Sequence, residues 1–389
     1  MTVRVLILAA EYPHHVKDKD GIFIQDQAMA LNRAGVRADV AFVEPRSIRS
    51  LSLAALGENH FQTSAAEERG VFTLRMKGWN PWMNSLTGGV AYARLTALLA
   101  GDYLRRYGRP DLVHAHNTFW AGYAAHQLML RHRIPYLVTE HSSRFVLDSV
   151  TDEMAPYARK VLSGASAALG VSGAVASALN RHGARGAEVV PNVVDTDFFT
   201  LPPKERQREP FTFLAIGNMN YNKGFHVLLR AFASRFKGRR DVRLVLGGEG
   251  PQRIEFQQLA GELGLQETVH FTGGLGRNEV REEIWGANAL ILPSFRETFG
   301  VVLIEALSTG IPVIATRSGG PQDVVTPETG LLCEPGNEEE LADAMERLMR
   351  TPFRPDALRG AAVTTYSEAA LVTRLLSTYR SVLHQGALG

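Results

Sequence analysis

The chain has 389 residues, of which 45% are hydrophobic and 21% charged, as in ordinary globular proteins. That length exceeds one ordinary hydrophobic core, so we expect two domains. A formal net charge of +2 is too close to neutral to favour a nucleic-acid partner. A single cysteine, Cys333, excludes an internal disulfide and fits a reducing compartment, which favours the cytoplasm.

The N-terminal apolar run is short and leads directly into Glu11-Tyr12-Pro13, without a small-residue cleavage site. It therefore predicts a buried strand rather than a signal peptide. Nowhere does an apolar run reach the length of a membrane span.

The first half alternates apolar runs with amphipathic segments, a pattern typical of βα units. Strands are predicted at Val3–Ala9, Val36–Val43, Val71–Arg75, Asp111–His114, Pro135–Thr139, Ala167–Val171 and Glu188–Val190. Helices are predicted at Ile22–Asn32, Val90–Tyr107, Phe119–Arg131, Pro156–Leu162 and Ala174–Arg181. This alternation predicts a parallel, doubly wound sheet.

The alternation restarts after a polar, proline-containing linker at 201–210. The later strands are predicted at Phe211–Ile216, Val242–Leu246, Val269–Phe271, Ala289–Leu292 and Val313–Ala315. We interpret 319–321 and 330–332 as turns, and expect final helices near Arg354–Gly360 and Glu368–His384. The predicted fold class is α/β, with two doubly wound, Rossmann-like domains, 1–200 and 201–365, facing across a cleft. Ligands of such sheets bind at the carboxyl ends of the strands.

The most informative motif follows the strand Ala289–Leu292. Pro293 ends that strand, the chain turns through Glu297, and a helix is predicted from Phe299 to Thr309. The free N–H groups of such a helix start form a ready anion site, suited to a phosphate or pyrophosphate. Glu305, further along the helix, suits a hydroxyl-bearing part of the same ligand. The alternative is that both glutamates are solvated charges near a helix start.

Glu297, within Pro-Ser-x-x-Glu-x-Phe-Gly, and Glu305, with seven residues between the two, resemble the signature of family 4 retaining glycosyltransferases, which have the GT-B fold. The resemblance implies a nucleoside-diphosphate sugar as co-substrate, with no other cofactor and no metal. The acceptor would be a glycan, a lipid-linked sugar or a small molecule. Glu305 would hold the ribose diol and Glu297 the sugar hydroxyls. In the family the last helix, here 366–389, packs back on the first domain.

The amides of Phe299, Gly300 and Val301 would then meet the donor diphosphate. A lysine after the first strand of the second domain, Lys223, follows Gly217 and Asn218 in a segment that is not a P-loop. Alone, Lys223 is a surface lysine, but it resembles the family lysine that holds the diphosphate. The family usually has arginine where this chain has Asn218, and we hypothesise that Arg296 partly substitutes.

Three other glycine or threonine positions gain a role from the resemblance alone. Gly248 lies in a turn without the dinucleotide fingerprint, yet the family places this turn beside the nucleotide. Thr272 falls in the segment whose backbone meets the base. Gly21 resembles the glycine that approaches the reacting diphosphate.

Two histidines end a predicted strand, and alternation sends His114 and His116 to the same side. No cysteine or suitably placed acid accompanies them, so simple hydrogen bonding is favoured over metal ligation. The resemblance assigns His116 to the donor sugar's hydroxyls, and His141 has a similar strand-end setting. We therefore expect Lys223, Glu297 and His116 to be the catalytic residues.

The sequence also contains two Asp-x-Asp motifs and a basic, aromatic segment. Asp18-Lys19-Asp20 and Asp195-Thr196-Asp197 match a metal-binding Asp-x-Asp, but their positions argue against a metal site. A peripheral contact with the inner face of a membrane stays open as an alternative to scattered surface residues. It would use Lys77, Trp79, Trp82 and Met83, with Arg46 and Arg49.

We expect a retaining, metal-independent hexosyl-type glycosyltransferase of glycan, polysaccharide or glycolipid synthesis. The alternatives are a hydrolysing nucleotide-sugar epimerase of the same fold and a non-catalytic nucleotide-sugar binder, which Asn218 makes conceivable. The missing glycine fingerprint disfavours an NAD dehydrogenase.

Overall fold

The computed structural model describes residues 3–13, 21–47, 52, 57, 60–82, 85–207 and 209–387. Its contacts divide the chain into two units, Met1–Pro191 with Leu371–Gly389, and Asn192–Ala370. Sequence analysis placed the first division at residue 200. The structure groups 192–200 with the second unit, where the Phe199 carbonyl accepts hydrogen bonds from Ser308 and Arg359. The second division falls inside the last helix, near the predicted 365/366 boundary.

The first unit contains one mixed sheet whose central strands are almost entirely buried. Among the described residues its order is β3-β4-β2-β1-β5-β6-β7-β8, parallel except for the β3–β4 pair. The strands are β1 (Arg4–Ala9), β2 (Arg37–Arg46), β3 (Thr63–Glu68), β4 (Val71–Trp79), β5 (Leu112–His116), β6 (Tyr136–Glu140), β7 (Ala167–Gly170) and β8 (Glu188–Val189). The antiparallel β3, absent from the sequence-based prediction, lies at the edge of the sheet and is mostly exposed.

Helices connect these strands, as the apolar periodicity predicted. They are Ile22–Arg33, Leu86–Tyr107, Tyr123–His132, Ala155–Gly164 and Gly173–Arg181, and the last helix is Glu368–Ala387. One predicted helix start was wrong. Thr118–Gly122 forms a separate π-helical turn because Phe119 has extended backbone torsions, so the regular helix begins only at Tyr123.

The second unit contains a parallel sheet of order β11-β10-β9-β12-β13-β14 in the described residues. Its strands are β9 (Phe211–Ile216), β10 (Val242–Gly247), β11 (Val269–Gly273), β12 (Ala289–Leu292), β13 (Val313–Thr316) and β14 (Gly330–Cys333). The interpretation of 330–332 as a turn was wrong. Gly330 instead starts β14, where a Cβ atom would lie 1.9 Å from the Val313 carbonyl oxygen, so glycine permits this strand pairing.

Helices again link the strands of this unit. They are Phe225–Phe236, Arg253–Glu262, Arg277–Gly286, Val301–Ser308, Pro321–Val324, Glu338–Arg350 and Pro355–Tyr366. Because every strand of this sheet runs the same way, the loops after β9, β10, β12 and β13 all leave from one edge.

Candidate functional site

The second unit brings Lys223 and Glu297 into direct contact at the carboxyl edge of its sheet. The Lys223 ammonium lies 2.5 Å from Oε2 of Glu297, and both side chains are largely buried, with 25% and 13% of their surfaces exposed. A lysine and a glutamate 74 residues apart in sequence thus form one ion pair. Each side chain therefore neutralises the charge of the other.

The loop that carries Lys223 packs closely on the end of β12. Asn220 caps the short helical turn by accepting a hydrogen bond from the Lys223 amide at 3.1 Å. Gly224 follows with φ of 69°, and a Cβ there would lie 2.0 Å from the Pro293 carbonyl oxygen. Asn222 also donates to the Arg296 carbonyl at 3.0 Å. Glycine at 224 therefore lets the two loops meet.

Glu297 is held by backbone pairing with the loop after β13. Its amide donates to the Ser318 carbonyl at 3.0 Å, and its carbonyl accepts from the Gly320 amide at 2.8 Å. A Cβ at Gly320 would lie 2.2 Å from the Thr298 carbonyl oxygen. This close approach fixes the backbone of Glu297 relative to the helix that follows.

The helix after Glu297 begins at Val301, with Gly300 as its N-cap at φ of 90°. No side chain caps it, so its first amides retain the capacity to bind an anion. Phe299 is buried, with its ring 5.9 Å from that of Tyr366. Glu305 lies one turn into the helix and is partly exposed.

Four more predicted donor residues lie at the ends of β9, β10 and β11. Gly217 and Gly248 touch, since a Cβ at Gly248 would lie 1.9 Å from the Gly217 carbonyl oxygen. A Cβ built on Gly217 would lie 3.7 Å from the nearest carbons of the Lys223 side chain. Asn218 is exposed and Thr272 partly exposed. The structure thus places this set at one edge of the sheet, with Gly217 beside the Lys223 side chain. Arg296, next to Glu297 in sequence, is exposed.

The first unit assembles its histidines into a buried hydrogen-bonded chain. His116 Nδ1 lies 2.9 Å from His141 Nε2, and His116 Nε2 lies 3.2 Å from the Gln27 amide nitrogen. His114 Nδ1 lies 2.8 Å from the Tyr379 hydroxyl. Both ring nitrogens of His116 are therefore engaged, so the predicted contact with a sugar requires one of these partners to move.

Burial keeps these rings neutral. Desolvation lowers the pKa of His114 to about 3 and that of His116 well below its usual range, and the neighbouring imidazoles add to both effects. Both histidines are fully buried, whereas His141 is partly exposed. No group of three or more metal-ligating side chains capable of holding an ion occurs among the described residues.

A pocket of about 270 Å³ opens at the carboxyl ends of the first sheet. Aromatic and polar side chains line it together. They include Glu11, Asn80, Asn117, Phe119, Trp120 and Arg144. The Trp120 ring lies directly against the backbone of Gly89, where a Cβ would lie 2.0 Å from its Cε2. Glycine there lets the ring lie flat against the helix.

Gly21 and Asp195 have structural roles. Gly21, at φ of 70°, begins its helix against the backbone after β1, since a Cβ would lie 2.4 Å from the Glu11 carbonyl oxygen. Asp195 accepts the amides of Asp197 and Phe198 and pairs with Arg277 at 3.2 Å, which is a structural turn. Asp18-Lys19-Asp20 lies outside the described residues.

The residues considered above for a membrane contact mostly make contacts with other parts of the chain. Trp79 donates to His60 at 2.6 Å and Lys77 lies 3.9 Å from Glu44, whereas Trp82 is 57% exposed. Arg46 lies over Trp79, with its guanidinium carbon 5.6 Å from the ring centre. Arg49 and Met83 lie outside the described residues. The described helices include none with both the length and the apolarity needed to cross a bilayer.

Sequence reasoning missed Gln27 and Tyr379, both of which contact the histidines. Gln27 is buried on the same helix face as Ile24, Ala28 and Leu31. A glutamine within an apolar stripe is a usable signal, because a buried amide needs partners. Tyr379 gives no comparable signal, since a tyrosine fits an apolar helix face without them.

Two family models match consecutive parts of the chain. "Glycosyltransferase Family 4" matches residues 21–198, and "Glycosyl transferases group 1" matches residues 197–363.

Among similar proteins, D-inositol 3-phosphate glycosyltransferase 1 of Catenulispora acidiphila is 29% identical over 332 residues, covering 76% of this chain and 78% of its own. The 2-deoxystreptamine glucosyltransferase of Streptomyces kanamyceticus is 28% identical over 273 residues, covering 64% and 70%. The phosphatidylinositol N-acetylglucosaminyltransferase gpi3 subunit of Schizosaccharomyces pombe is 30% identical over 161 residues. That match covers 41% of this chain and only 35% of the gpi3 subunit.

Solved structures share the fold over almost the whole chain. Sucrose-phosphate synthase from Thermosynechococcus elongatus has a TM-score of 0.77 at 22% identity, covering 98% of this chain and 100% of its own. HepE of Anabaena, solved in complex with UDP, has a TM-score of 0.73 at 19% identity, covering 97% and 100%. At these identities the likeness establishes the architecture alone.

Proposed function

Because the chain belongs to the family 4, group 1 glycosyltransferases and has the predicted GT-B fold, we propose that it transfers a sugar from a nucleoside-diphosphate sugar to an acceptor hydroxyl with retention of configuration. Glycosyltransferase activity is the family's property. The donor class, the stereochemistry and the roles of individual residues are our proposal. The single observation that carries it is the Lys223–Glu297 pair beside an uncapped helix start.

The diphosphate of the donor would bind at the start of the helix Val301–Ser308. Its amides, with those of Phe299 and Gly300, offer preorganised donors to phosphate oxygens. The Lys223 ammonium, already at this edge, adds a full positive charge. As the anomeric C–O bond breaks, negative charge grows on the leaving diphosphate, and these groups stabilise it without reorganising.

The remaining donor contacts would come from the same sheet edge. Glu305 would accept hydrogen bonds from the ribose diol, and Glu297 would orient the sugar through its hydroxyls. The ends of β9, β10 and β11, with Gly217, Gly248 and Thr272, would receive the nucleoside. HepE of Anabaena was also solved in complex with UDP-glucose, which supports a nucleotide sugar as the ligand of this fold.

The acceptor would bind at the carboxyl edge of the first sheet, in the pocket beside Trp120. An aromatic face suits the C–H face of a sugar or cyclitol ring, while Asn80, Asn117 and Glu11 offer partners to its hydroxyls. The names of two relatives specify acceptors built on such rings, inositol phosphate and 2-deoxystreptamine. We propose a ring-bearing, polyhydroxylated acceptor here, whether free, glycan-borne or lipid-linked. The His116–His141 pair would contact substrate hydroxyls at the same edge.

In the proposed reaction the acceptor oxygen forms a bond to the anomeric carbon on the face that the diphosphate leaves. The acceptor's proton passes to an oxygen of that leaving phosphate. This balance requires no nucleophile from the protein and no metal ion, so we expect EDTA to leave the rate unchanged. Hexosyl donors, a role in glycan or glycolipid synthesis and a cytoplasmic location complete the proposal. The buried thiol of Cys333 suits a reducing compartment.

The decisive experiment screens UDP-, GDP- and ADP-sugars by thermal shift and then assays the stabilising donor with carbohydrate acceptors. A true donor must raise the midpoint of thermal unfolding, because it binds the folded protein. Proton NMR of the product should show the donor's own anomeric configuration. Free nucleotide and an epimerised sugar, formed without acceptor, would identify an epimerase. Stabilisation without turnover, using any acceptor extract, would identify a binder.

A further inference from the structure

The structure assigns a positioning role to two residues outside the family motifs, Gln27 and Tyr379. We propose that they hold the His114–His116–His141 chain in one set of tautomers, and so present His141, its partly exposed end, to the substrate in one fixed orientation. This rests on the proposed function, because it assumes that the His116–His141 pair contacts a substrate hydroxyl.

Gln27 determines the direction of the hydrogen bonds at one end of the chain. Its amide nitrogen, which can only donate, lies 3.2 Å from His116 Nε2, so that ring nitrogen must accept. A neutral imidazole then carries its proton on Nδ1. His116 Nδ1 lies 2.9 Å from His141 Nε2 and therefore donates to it. One amide thus sets the tautomers of two histidines.

Tyr379 engages the other end of the network. The same Gln27 nitrogen lies 3.5 Å from His114 Nδ1, so this nitrogen also faces a donor and carries no proton. The Tyr379 hydroxyl, at 2.8 Å, then donates to it. His114 keeps its proton on Nε2 and donates to the Thr139 hydroxyl at 2.7 Å. All these bonds therefore have one consistent direction.

The burial of the network argues that it has a purpose beyond filling the core. His114, His116 and Tyr379 are wholly buried, and the exposed fraction of Gln27 is 6%. Apolar side chains of similar volume would satisfy the packing without desolvating so many polar groups. The rings stack in sequence, with centres 4.5 Å apart for His114–His116 and 5.2 Å for His116–His141. The hydrogen-bonded chain of histidines ends at His141, which is partly exposed just after β6.

The test compares Tyr379→Phe and Gln27→Leu with Tyr103→Phe in the full-length protein. Tyr103 is the matched control, because it is a buried helical tyrosine of the same unit whose hydroxyl bonds Asp39. The strand register places the Asp39 side chain on the face of the sheet opposite that of His114. Long-range ¹H–¹⁵N NMR of histidine-labelled protein reads the tautomers directly, with signals assigned by loss in His114→Asn and His116→Asn. The wild type should show His116 protonated at Nδ1 and His114 at Nε2.

We expect Gln27→Leu to release the tautomers of His116 and His141, and Tyr379→Phe that of His114. Turnover should fall about fivefold or more, the factor corresponding to one lost hydrogen bond, with the donor KM unchanged. Tyr103→Phe should lower the thermal midpoint comparably yet leave tautomers and turnover as in the wild type. Equal turnover losses in all three variants, or unaltered tautomers in Gln27→Leu, would overturn the proposal. A wild type that transfers no sugar but shows these tautomers would refute the proposed function alone.

Discussion

The Lys223 ammonium and the Glu297 carboxylate form an ion pair of 2.5 Å, although the resemblance assigns them to different parts of one ligand. A lysine this well shielded is costly to leave unpaired, so Glu297 holds the ammonium in place. The arriving diphosphate then competes with Glu297 for the ammonium. The carboxylate thereby becomes available to the sugar hydroxyls.

Lys223→Ala should lower kcat by roughly 10²–10³, the loss typical for one preorganised charge-stabilising group. Steady-state kinetics with saturating donor would measure it. Lys204→Ala, in the exposed linker, is the control and should behave as wild type. A Lys223→Ala enzyme with undiminished kcat would remove Lys223 from the site.

Glu305→Ala should mainly raise the donor KM, because the ribose contact is equal in the ground and transition states. The expected change is about tenfold or more, since a hydrogen bond to a charged group contributes about 1.5–3 kcal/mol. Titration calorimetry with the nucleoside diphosphate would check it. Glu262→Ala, at an exposed helix end, should bind the nucleotide unchanged. Equal affinities for both variants would contradict the assignment.

Gly320→Ala should weaken donor binding and lower the thermal midpoint, because its Cβ would lie 2.2 Å from the Thr298 carbonyl oxygen and displace Glu297. Such overpacking costs about 1–3 kcal/mol. Gly360→Ala, in a helix with nothing within 4 Å of the new methyl, should instead stabilise by about 0.5–1 kcal/mol. Thermal unfolding of both variants, with and without nucleotide, would distinguish the effect on donor binding from the effect on stability. Matching shifts would mean that the loop after β13 tolerates a side chain.

Asn218→Arg should tighten donor binding several-fold by supplying the cation that the family pattern has at this exposed position. The gain should shrink between 50 mM and 500 mM salt, as expected of an added charge near phosphate. Gln258→Arg, also exposed but on a helix flank, is the charge-matched control. An equal gain in Gln258→Arg would indicate a general effect of net charge.

Acid should destabilise the first unit through its buried histidines. The folded pKa of His114 is about 3 and that of His116 is also far below the unfolded value near 6.5. Between those values the unfolded chain binds more protons, so the free energy of unfolding falls as pH decreases below about 6.5. The slope is at most about 1.4 kcal/mol per pH unit for each histidine. Thermal midpoints from pH 7.5 to 4.5 should vary less in His114→Asn than in wild type or His132→Asn. Parallel curves for all three would contradict this account.

The strands of both sheets could be predicted because their apolar runs are buried on two sides, which leaves a local signal. Residue patterns could not reveal β3, whose Thr-Ser-Ala-Ala-Glu-Glu sequence lies on an exposed edge. They also missed β14, where Gly330 and two leucines resemble a turn. In both strands the pairing partner, rather than the strand's own residues, determines the structure.

The candidate site divides in the same way. Lys223, Glu297 and Glu305 occur at motif spacings, so the sequence identified them, although their assigned roles stay predictions. The support of the histidines by Gln27 and Tyr379 could not be predicted, because these residues lie 87 and 265 positions from His114. Only the folded chain places their polar atoms in a common interior.

The first unit is built from two separated stretches of chain, Met1–Pro191 and Leu371–Gly389. On the ribosome the sheet of this unit therefore keeps the surface that the helix Glu368–Ala387 will cover exposed until residues 371–389 have been synthesised. Expressing residues 1–191 alone would leave that surface exposed to solvent and would remove the Tyr379 hydroxyl from His114. A permuted gene that moves 371–389 ahead of residue 1 would let this unit mature before the other.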